Sequence, residues 1–433
     1  MKFNGLRATV MGLGLFGGGC AAARWLAHQG AIVTVTDTAS EEILAGPIQS
    51  LADISIHRFT FGEHQKRDFT EADLVVVNPA VPPGNPWLEI AEKAGALLTS
   101  EMDLFLNHCP AHVIAVTGSN GKSTTTAMIA SILEAADRKT FLGGNIGRSL
   151  LMEVSSMEQD DFVVLELSSF QLHRLGRTVA MPATAVITNF TANHLNWHPD
   201  LHHYRAAKQR LLREQPSYGT AVFDPSAPGL EGWKELLQGS FAAPHDVSDL
   251  PPLSVRGRHN ESNAALAATV ACCADCTPDA IDVGLRRFKG LPDRLERVAS
   301  TDTRRFFNDS SSTTPESTMA ALRAVEKPIW LLAGGTDKGA PCDELVDCIV
   351  EQAAGGVFYG QVADRLARQV RSRMPDFDAF AVKTLAEAVA RATDRASADA
   401  AVLLSPGFSS KDQFVNYRAR AAAFVKLVKA YRS

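Results

Sequence analysis

The chain has 433 residues, 45% of them apolar and 21% charged, with a formal net charge of −5 at pH 7. That length exceeds one ordinary core and implies two or three domains of about 100–200 residues each, in a composition typical of packed globular protein rather than disorder. The acidic balance argues against a nucleic-acid polyanion as partner, while leaving room for a local basic pocket.

In chain order, the first hundred residues alternate between strand and helix. ATVMGLG reads as a short apolar strand, AAARWLAHQGA as a helix ending at Gly30, IVTVTD as a second strand, and DLVVVNP as a third, halted by Pro79. A second unit opens near Met102. There VIAVTG leads into a glycine-containing loop and the helix STTTAMIASILEAA, followed by the strands DFVVLELSS and ATAVITNF and the helix YRAAKQRLLREQ. The stretch HNESNAALAATVACCA adds another helix before Gly290. From Leu291 onward RRFFND, PIWLLAGG, AGGVFYG and AAVLLSPG are strand-like, with helices around 316–325 and 384–398. No short repeat interrupts this order. Strands alternating with helices predict an α/β protein with parallel sheets covered on both faces, divided at 1–101, 102–290 and 291–433.

Seven cysteines in no framework spacing fit a reducing cytosol. Cys272, Cys273 and Cys276 sit in an alanine-rich helical run and are expected to be small buried hydrophobes rather than metal ligands. The opening MKFNGLRATVMGLGLFGGG lacks the apolar length and cleavage pattern of a secretory leader. With no run of about 18 uncharged apolar residues, no membrane insertion is expected, and the predicted location is the cytoplasm.

The segment AVTGSNGKSTTT, residues 115–126, joins a strand to a helix through a glycine-containing loop. Gly118 and Gly121 let backbone N–H groups approach phosphates, Lys122 can reach a β/γ-phosphate, and the Ser123 hydroxyl can ligate Mg²⁺. The strict spacing G-x-x-x-x-G-K-[ST] is broken by Val116, which stands where its first glycine belongs.

GLGLFG, with Gly12, Gly14 and Gly17, also lies between strand and helix, and Asp37 ends the next strand. Alone this is a dinucleotide fingerprint, and it admits an NAD-dependent oxidoreductase; beside a phosphate loop the same crevice can hold another nucleotide, or be only a tight strand–helix crossing. Glu166, ending DFVVLE, is either a hard oxygen ligand for Mg²⁺ or a solvated strand-end charge. His194, His198 and His202 have the i, i+4, i+8 spacing of a zinc face, but Pro199 interrupts any such helix. Lys208 lies mid-helix, where a lone lysine is ordinarily a solvated charge.

Taken together, GLGLFG, TGSNGKSTTT, GGNIG (143–147), ELSSFQL (166–172), NHLNWH (193–198), YRAAK (204–208), GRHNESN (257–263), GLPDRLE (290–296), NDSSSTTPEST (308–318), GGTDKG (334–339) and LLSPGFSSKDQF (403–414) resemble the Mur ligase family, in family order and over essentially the whole chain. The resemblance implies an N-terminal Rossmann-like domain for a UDP-sugar, a central P-loop ATPase-type domain and a C-terminal Rossmann-like domain for the incoming amino acid. It implies a monomer that joins D-glutamate to UDP-N-acetylmuramoyl-L-alanine in peptidoglycan synthesis, using ATP, two Mg²⁺ and an acyl-phosphate intermediate.

By the same resemblance, Leu15, Phe16, Asp37 and Thr38 surround the uridine diphosphate, and Asn78, Asn145 and His194 the muramoyl portion. Gly118, Ser119, Asn120, Gly121, Lys122, Ser123 and Thr124 cradle the ATP phosphates. Asn260 and Asn263 lie on the adenine side, while Arg294 and Asp309 contact phosphate and ribose. Ser123 and Glu166 hold one Mg²⁺; His194 and Lys208, the latter as an Nζ-carbamate, hold the other. Lys122, Glu166, His194 and Lys208 carry the catalysis. Thr313, Lys338, Ser410 and Tyr417 meet the amino acid. The chain departs from the D-glutamate pattern at Ser311, where the family often has Lys, and at Gly407, Phe408 and Ser409, where Ala-Cys-Ala is usual. Ala39 replaces a usual Arg. The first two departures admit L-glutamate as the alternative substrate.

Overall fold

Thirty-odd strands and helices are arranged around three separate sheets in the computed structural model, which describes residues 2–194, 197–300, 304–337 and 341–431. The residues group by contact into two units: Met1–Pro251 with Asn263–Leu285, and Pro252–Ser262 with Arg286–Ser433.

The first unit carries two wholly parallel sheets. One has five strands in the order Arg58–Phe61, Ile32–Asp37, Arg7–Met11, Leu74–Val77, Leu97–Thr99. The chain starts in the middle, builds outward to one side, then returns to the other, so a crevice opens at the carboxyl ends of Arg7–Met11 and Leu74–Val77. The other sheet has six strands, ordered Ser240–Ala242, Thr220–Val222, Thr184–Ile187, His112–Thr117, Phe162–Glu166, Thr140–Gly144. Central strands such as LVVV at Leu74–Val77 are buried along their whole length, because helices cover both faces of a parallel sheet.

One hydrophobic cluster joins these two sheets. It contains Val10, Val33 and Val76 of the first, Val163, Leu165 and Ala185 of the second, and Met102, Leu104 and Phe105 between them. The last three belong to the helix Glu101–His108. Its start is fixed by a capping box in which Ser100 Oγ accepts from Asp103 N at 3.1 Å and Asp103 Oδ2 accepts from Ser100 N at 2.9 Å.

The second unit holds a six-stranded sheet in the order Glu296–Ser300, Arg305–Asn308, Ala401–Gly407, Ile329–Gly334, Gly355–Tyr359, Ala379–Val382, parallel except for the first pair. Ile329–Gly334 and Ala401–Gly407 are neighbours, yet the helices that follow them lie on opposite faces. Asp343–Gln352 packs with Leu331 and Leu403, and Tyr417–Ala430 packs with Leu332 and Val402. Such a reversal opens a ligand crevice at the carboxyl end of both strands.

The cysteine expectation holds only in part. Cys276 is buried, but Cys272 and Cys273 are exposed. The buried alanine stripe of the helix Arg258–Cys273 ends at Ala271, and a left-handed turn at Asp275 (φ 55°) closes the helix, so the last turn faces solvent.

Candidate active site

The strand His112–Thr117 delivers the chain to Gly118, and the helix Lys122–Ala135 starts from Gly121 in the left-handed region at φ 83°. A Cβ at Gly118 would collide with Thr188 Oγ1, and one at Gly121 with Asn263 Oδ1, so both positions require glycine. The loop is braced from the neighbouring strand Thr184–Ile187. Asn120 N donates to Asn189 Oδ1 at 2.9 Å, Asn189 Nδ2 donates to Asn120 O at 3.0 Å, and Thr188 Oγ1 donates to the same oxygen at 2.5 Å. Ser119 Oγ donates to Thr191 O at 2.8 Å and lies 2.9 Å from Tyr204 OH. Sequence reading singled out none of Thr188, Asn189, Thr191 or Tyr204. The run TNFT directly after a buried strand beside the phosphate loop was the available sign.

Lys122 Nζ folds back on the loop, donating to Gly118 O at 3.1 Å and Ser119 O at 2.9 Å. Glu166, at the end of Phe162–Glu166, is only 2% exposed. Its Oε2 accepts from Ser123 Oγ at 2.5 Å and its Oε1 from Asn145 Nδ2 at 2.7 Å. The solvated-charge alternative for Glu166 therefore falls. It falls for Lys208 too, which is 1% exposed on the helix Leu201–Arg213. Lys208 Nζ donates to Gly118 O at 2.6 Å and lies 4.9 Å from the Tyr204 ring centre. Burial, aided by repulsion from Lys122 and opposed by Glu166, pushes its pKa well below that of an ordinary lysine. The result is a buried amine biased toward its neutral, nucleophilic form.

His194 takes a left-handed conformation, φ 58°, with its ring edge-on to Phe170 at 4.9 Å and 6.1 Å from Tyr204. His194, His198 and His202 share no helix face, because the helix begins only at Leu201, beyond Pro199. His198 is wholly buried instead, its Nε2 2.9 Å from Ser169 Oγ and its Nδ1 2.7 Å from His203 Nδ1. Burial, with smaller contributions from His203, His173 and Lys208, holds its pKa down at about 4, so it is a neutral packing group at pH 7.

In the five-stranded sheet, Gly12, Gly14 and Gly17 all have positive φ. Asp37 Oδ2 accepts from Gly14 N at 3.1 Å, and Asn78 Nδ2 donates to Gly12 O at 3.0 Å, so both side chains from the neighbouring strands hold the loop's backbone. Leu15 and Phe16 are 45% and 62% exposed, and Thr38 is exposed too. At Gly19, not singled out in the sequence, the helix lies against the backbone of the glycine loop, since a Cβ there would strike Leu13 O and Gly12 O. The loop after Asn78 is tied to the histidine-rich segment. Trp197 Nε1 donates to Ala80 O at 3.2 Å, and Arg174 Nη2 to Val81 O at 2.6 Å.

Asn263 Oδ1 accepts from Thr125 Oγ1 at 3.2 Å, on the helix that opens at the phosphate loop. In the second unit, Asn260 Nδ2 donates to Arg256 O at 2.7 Å. Asp309 is buried at the end of Arg305–Asn308, accepting from Ser405 Oγ at 2.7 Å and Leu295 N at 3.1 Å; burial lifts its pKa to about 6, with Arg294 among the groups that oppose the rise. Ser410 is buried, Thr313 exposed, and Tyr417 opens the helix Tyr417–Ala430, its carbonyl accepting from Ser310 Oγ at 2.8 Å. Lys338 lies outside the described residues. Sequence reading also missed Arg420, wholly buried, which donates to Ser310 Oγ (3.0 Å), Ser310 O (2.9 Å) and Phe408 O (3.0 Å) and so fastens two strand-end loops together.

Comparison with known proteins gives matches in all three regions. Residues 6–100 match the description "Mur ligase MurD-like, N-terminal domain", 116–248 "Mur ligase middle domain", and 293–408 "Mur ligase, glutamate ligase domain". The UDP-N-acetylmuramoylalanine–D-glutamate ligase of Roseiflexus sp. is 35% identical, with 100% of each chain covered, and that of Koribacter versatilis is 34% identical, covering 99% of this chain and 98% of the relative. Among solved structures, the UDP-N-acetylmuramate–alanine ligase MurC of Thermotoga maritima shares the fold with a TM-score of 0.66 at 18% identity, covering 98% of this chain and 100% of the other. MurF ligase of the same organism, solved in complex with ADP, gives 0.59 at 16% identity, covering 84% and 95%.

Proposed function

The chain belongs to the Mur ligase family, and from that premise we propose that it uses ATP to join D-glutamate to UDP-N-acetylmuramoyl-L-alanine in peptidoglycan synthesis. The observation that carries this reading is the set Lys122, Ser123, Glu166 and Lys208, the last three of them buried, around one glycine loop, supported by the names of its full-length relatives.

A carboxylate is a poor electrophile. Transfer of the ATP γ-phosphoryl group to the alanine carboxylate makes an acyl phosphate and releases ADP; the glutamate amine then attacks the acyl carbon, and phosphate leaves with the C–O bond electrons. Lys122 would exchange its two loop carbonyls for the phosphates, and the loop Gly118–Thr124 would cradle their oxygens at the start of the helix Lys122–Ala135. Ser123 and Glu166 present oxygens 2.5 Å apart, a hard donor pair that fits Mg²⁺, which when bound would neutralise charge on the transferring group. Burial, which biases Lys208 toward the free amine, fits addition of that amine to CO₂: an N–C bond forms as one C=O π pair moves to oxygen, the nitrogen loses a proton, and the product is a carboxylate-like group that with His194 would hold a second Mg²⁺. Leu15, Phe16, Asp37 and Thr38 would meet the uridine diphosphate, and Asn78, Asn145 and His194 the muramoyl portion. The contacts assigned above to Asn260, Asn263, Arg294, Asp309, Thr313, Lys338, Ser410 and Tyr417 belong to the same proposal. So do the division at 1–101, 102–290 and 291–433, a monomeric state and a cytoplasmic location. Among the described residues no helix is long and apolar enough to cross a membrane.

Ser311 and the Gly407-Phe408-Ser409 run, departures within the loops assigned to the amino acid, favour a second reading with L-glutamate. Mass spectrometry of the product formed from ATP, UDP-N-acetylmuramoyl-L-alanine and each glutamate enantiomer in parallel decides. An amide with D-glutamate is expected, an amide with L-glutamate alone selects the alternative, and no amide with either rejects the ligase assignment.

A further inference from the structure

The two sheets of the first unit share more than a hydrophobic cluster. A run of polar and aromatic contacts also crosses from one to the other. It starts at the glycine loop, where Asn78 Nδ2 donates to Gly12 O at 3.0 Å. Asn78 Oδ1 accepts from Ala80 N at 2.9 Å, and Ala80 O accepts from Trp197 Nε1 at 3.2 Å. The Trp197 indole stacks on the Phe170 ring with centres 4.4 Å apart, and Phe170 meets the His194 ring edge-on at 4.9 Å.

Beside it runs a second tie. Arg174 ends the helix Ser169–Arg174, which also carries Phe170, and its Nη2 donates to Val81 O at 2.6 Å and Pro82 O at 2.9 Å. Among the described residues no carboxylate pairs with this guanidinium; its Nε is shut off from solvent without a partner, and burial alone lowers its pKa. A half-buried cation is costly unless hydrogen bonds replace its lost water. Here two carbonyls from the other sheet's loop supply them, so the charge holds the loop and the loop holds the charge. Apolar packing alone would let the two surfaces slide, whereas directed hydrogen bonds and a stacked ring set a register.

The ends of the run give it meaning. Asn78 and the glycine loop lie at the carboxyl edge of the first sheet, and His194 lies beside Tyr204, whose ring is 4.9 Å from Lys208 Nζ at the carboxyl edge of the second. A ligand anchored by its diphosphate at one edge and reacting through its carboxylate at the other needs those edges at one spacing. A misplacement of about 1 Å at the reacting atoms costs about a hundredfold in rate.

We propose that Arg174 and Trp197 are positioning residues for the ligase reaction. They fix the loop Ala80–Pro82 against the helix Ser169–Arg174 and the histidine segment, and so set the span between the nucleotide end and the acyl end of the sugar-nucleotide substrate. This rests on the ligase reading and extends it to two side chains that act through others.

Calorimetry and steady-state kinetics on the full chain test this with UDP alone and with UDP-N-acetylmuramoyl-L-alanine. UDP occupies one edge, whereas the whole substrate spans both. In Arg174→Ala and Trp197→Phe the Kd of UDP and the KM for ATP stay within about twofold of wild type. The Kd of the whole substrate rises about fivefold or more, as loss of a hydrogen bond in the tie requires, and kcat falls about tenfold. Trp197→Phe keeps a ring to stack on Phe170, so it isolates the N–H. Arg174→Lys, whose ammonium can reach one of the two carbonyls, falls between R174A and wild type. Equal weakening of UDP and of the whole substrate, or no change in either variant, overturns the inference and leaves the ligase reading standing. A wild-type chain that makes no amide with either glutamate enantiomer overturns both.

Discussion

The carboxyl edges of the central sheet and of the third sheet are built from similar strands yet are finished in opposite ways. At the central edge, the loop Gly118–Gly121 is braced by Thr188, Asn189, Thr191 and Tyr204, and the buried side chains of Glu166 and Lys208 both have partners. At the third edge, the buried Arg420 donates to neutral acceptors, with Asp309 and Asp412 acting on it through space, and the hydroxyls of Ser311, Thr336 and Tyr359 have no hydrogen-bond partner among the described residues. The first arrangement is self-satisfied and holds its geometry before a ligand arrives. The second leaves buried hydroxyls unpaired among the described residues. A group of fixed shape, such as a polyphosphate, suits a rigid cradle.

The sharpest way to break this comparison is at the braced edge. Lys208→Ala is expected to lower kcat by about 10³-fold, comparable to deletion of one preorganised electrostatic group, with partial recovery on adding small carboxylates if its carbamate oxygens are what turnover needs; steady-state assays with and without formate or acetate check this. Glu166→Gln keeps the shape but loses the charge, and is expected to lower kcat about 10²-fold and to raise the Mg²⁺ concentration needed for half-maximal rate. A magnesium titration of both enzymes decides it. Gly121→Ala puts a Cβ against Asn263 Oδ1 at a left-handed position, so the cradle distorts. A loss of about 1–3 kcal/mol in stability is expected, read by denaturant unfolding, together with a higher KM for ATP.

The smallest effect sharpens the other side. Asp309 has a folded pKa of about 6 against an ordinary 3.8, because burial disfavours its charge. Between these values the folded state holds a proton that the unfolded state has lost, so the contribution is full below pH 4 and disappears as pH rises through about 6. Its size is ~1–3 kcal/mol. Relative to wild type, Asp309→Asn should therefore gain stability as pH rises from 4 to 7, as measured by thermal unfolding at matched ionic strength. A constant difference across that range would show that Asp309 is ionised in the folded protein.

The sequence made the central strands readable because strands such as LVVV and IWLLAG are buried throughout and therefore apolar throughout. It hid the edges. Leu97–Thr99, Ser240–Ala242 and Ala379–Val382 are short and partly exposed, with no uniform run to mark them. The glycine loops were legible because positive φ and close approach demand glycine at fixed spacing. Lys208 was not, since what buries it lies far off in the chain: its nearest acceptor, Gly118 O, is 90 residues away. Only the family resemblance singled it out. Arg420 escaped for the same reason, as its partner Ser310 is 110 residues distant. The cysteines misled because an alanine-rich helix suggests burial to its end, whereas this one leaves the core before its last turn.

Everything assigned to the braced edge depends on a phosphoryl group passing to the substrate's own carboxylate, and an isotope answers that directly. With oxygen-18 in the alanine carboxylate of UDP-N-acetylmuramoyl-L-alanine, one turnover in unlabelled water should place one labelled oxygen in the inorganic phosphate and leave the other in the new amide. Phosphate released without label, alongside amide formation, would mean that the carboxylate was never phosphorylated.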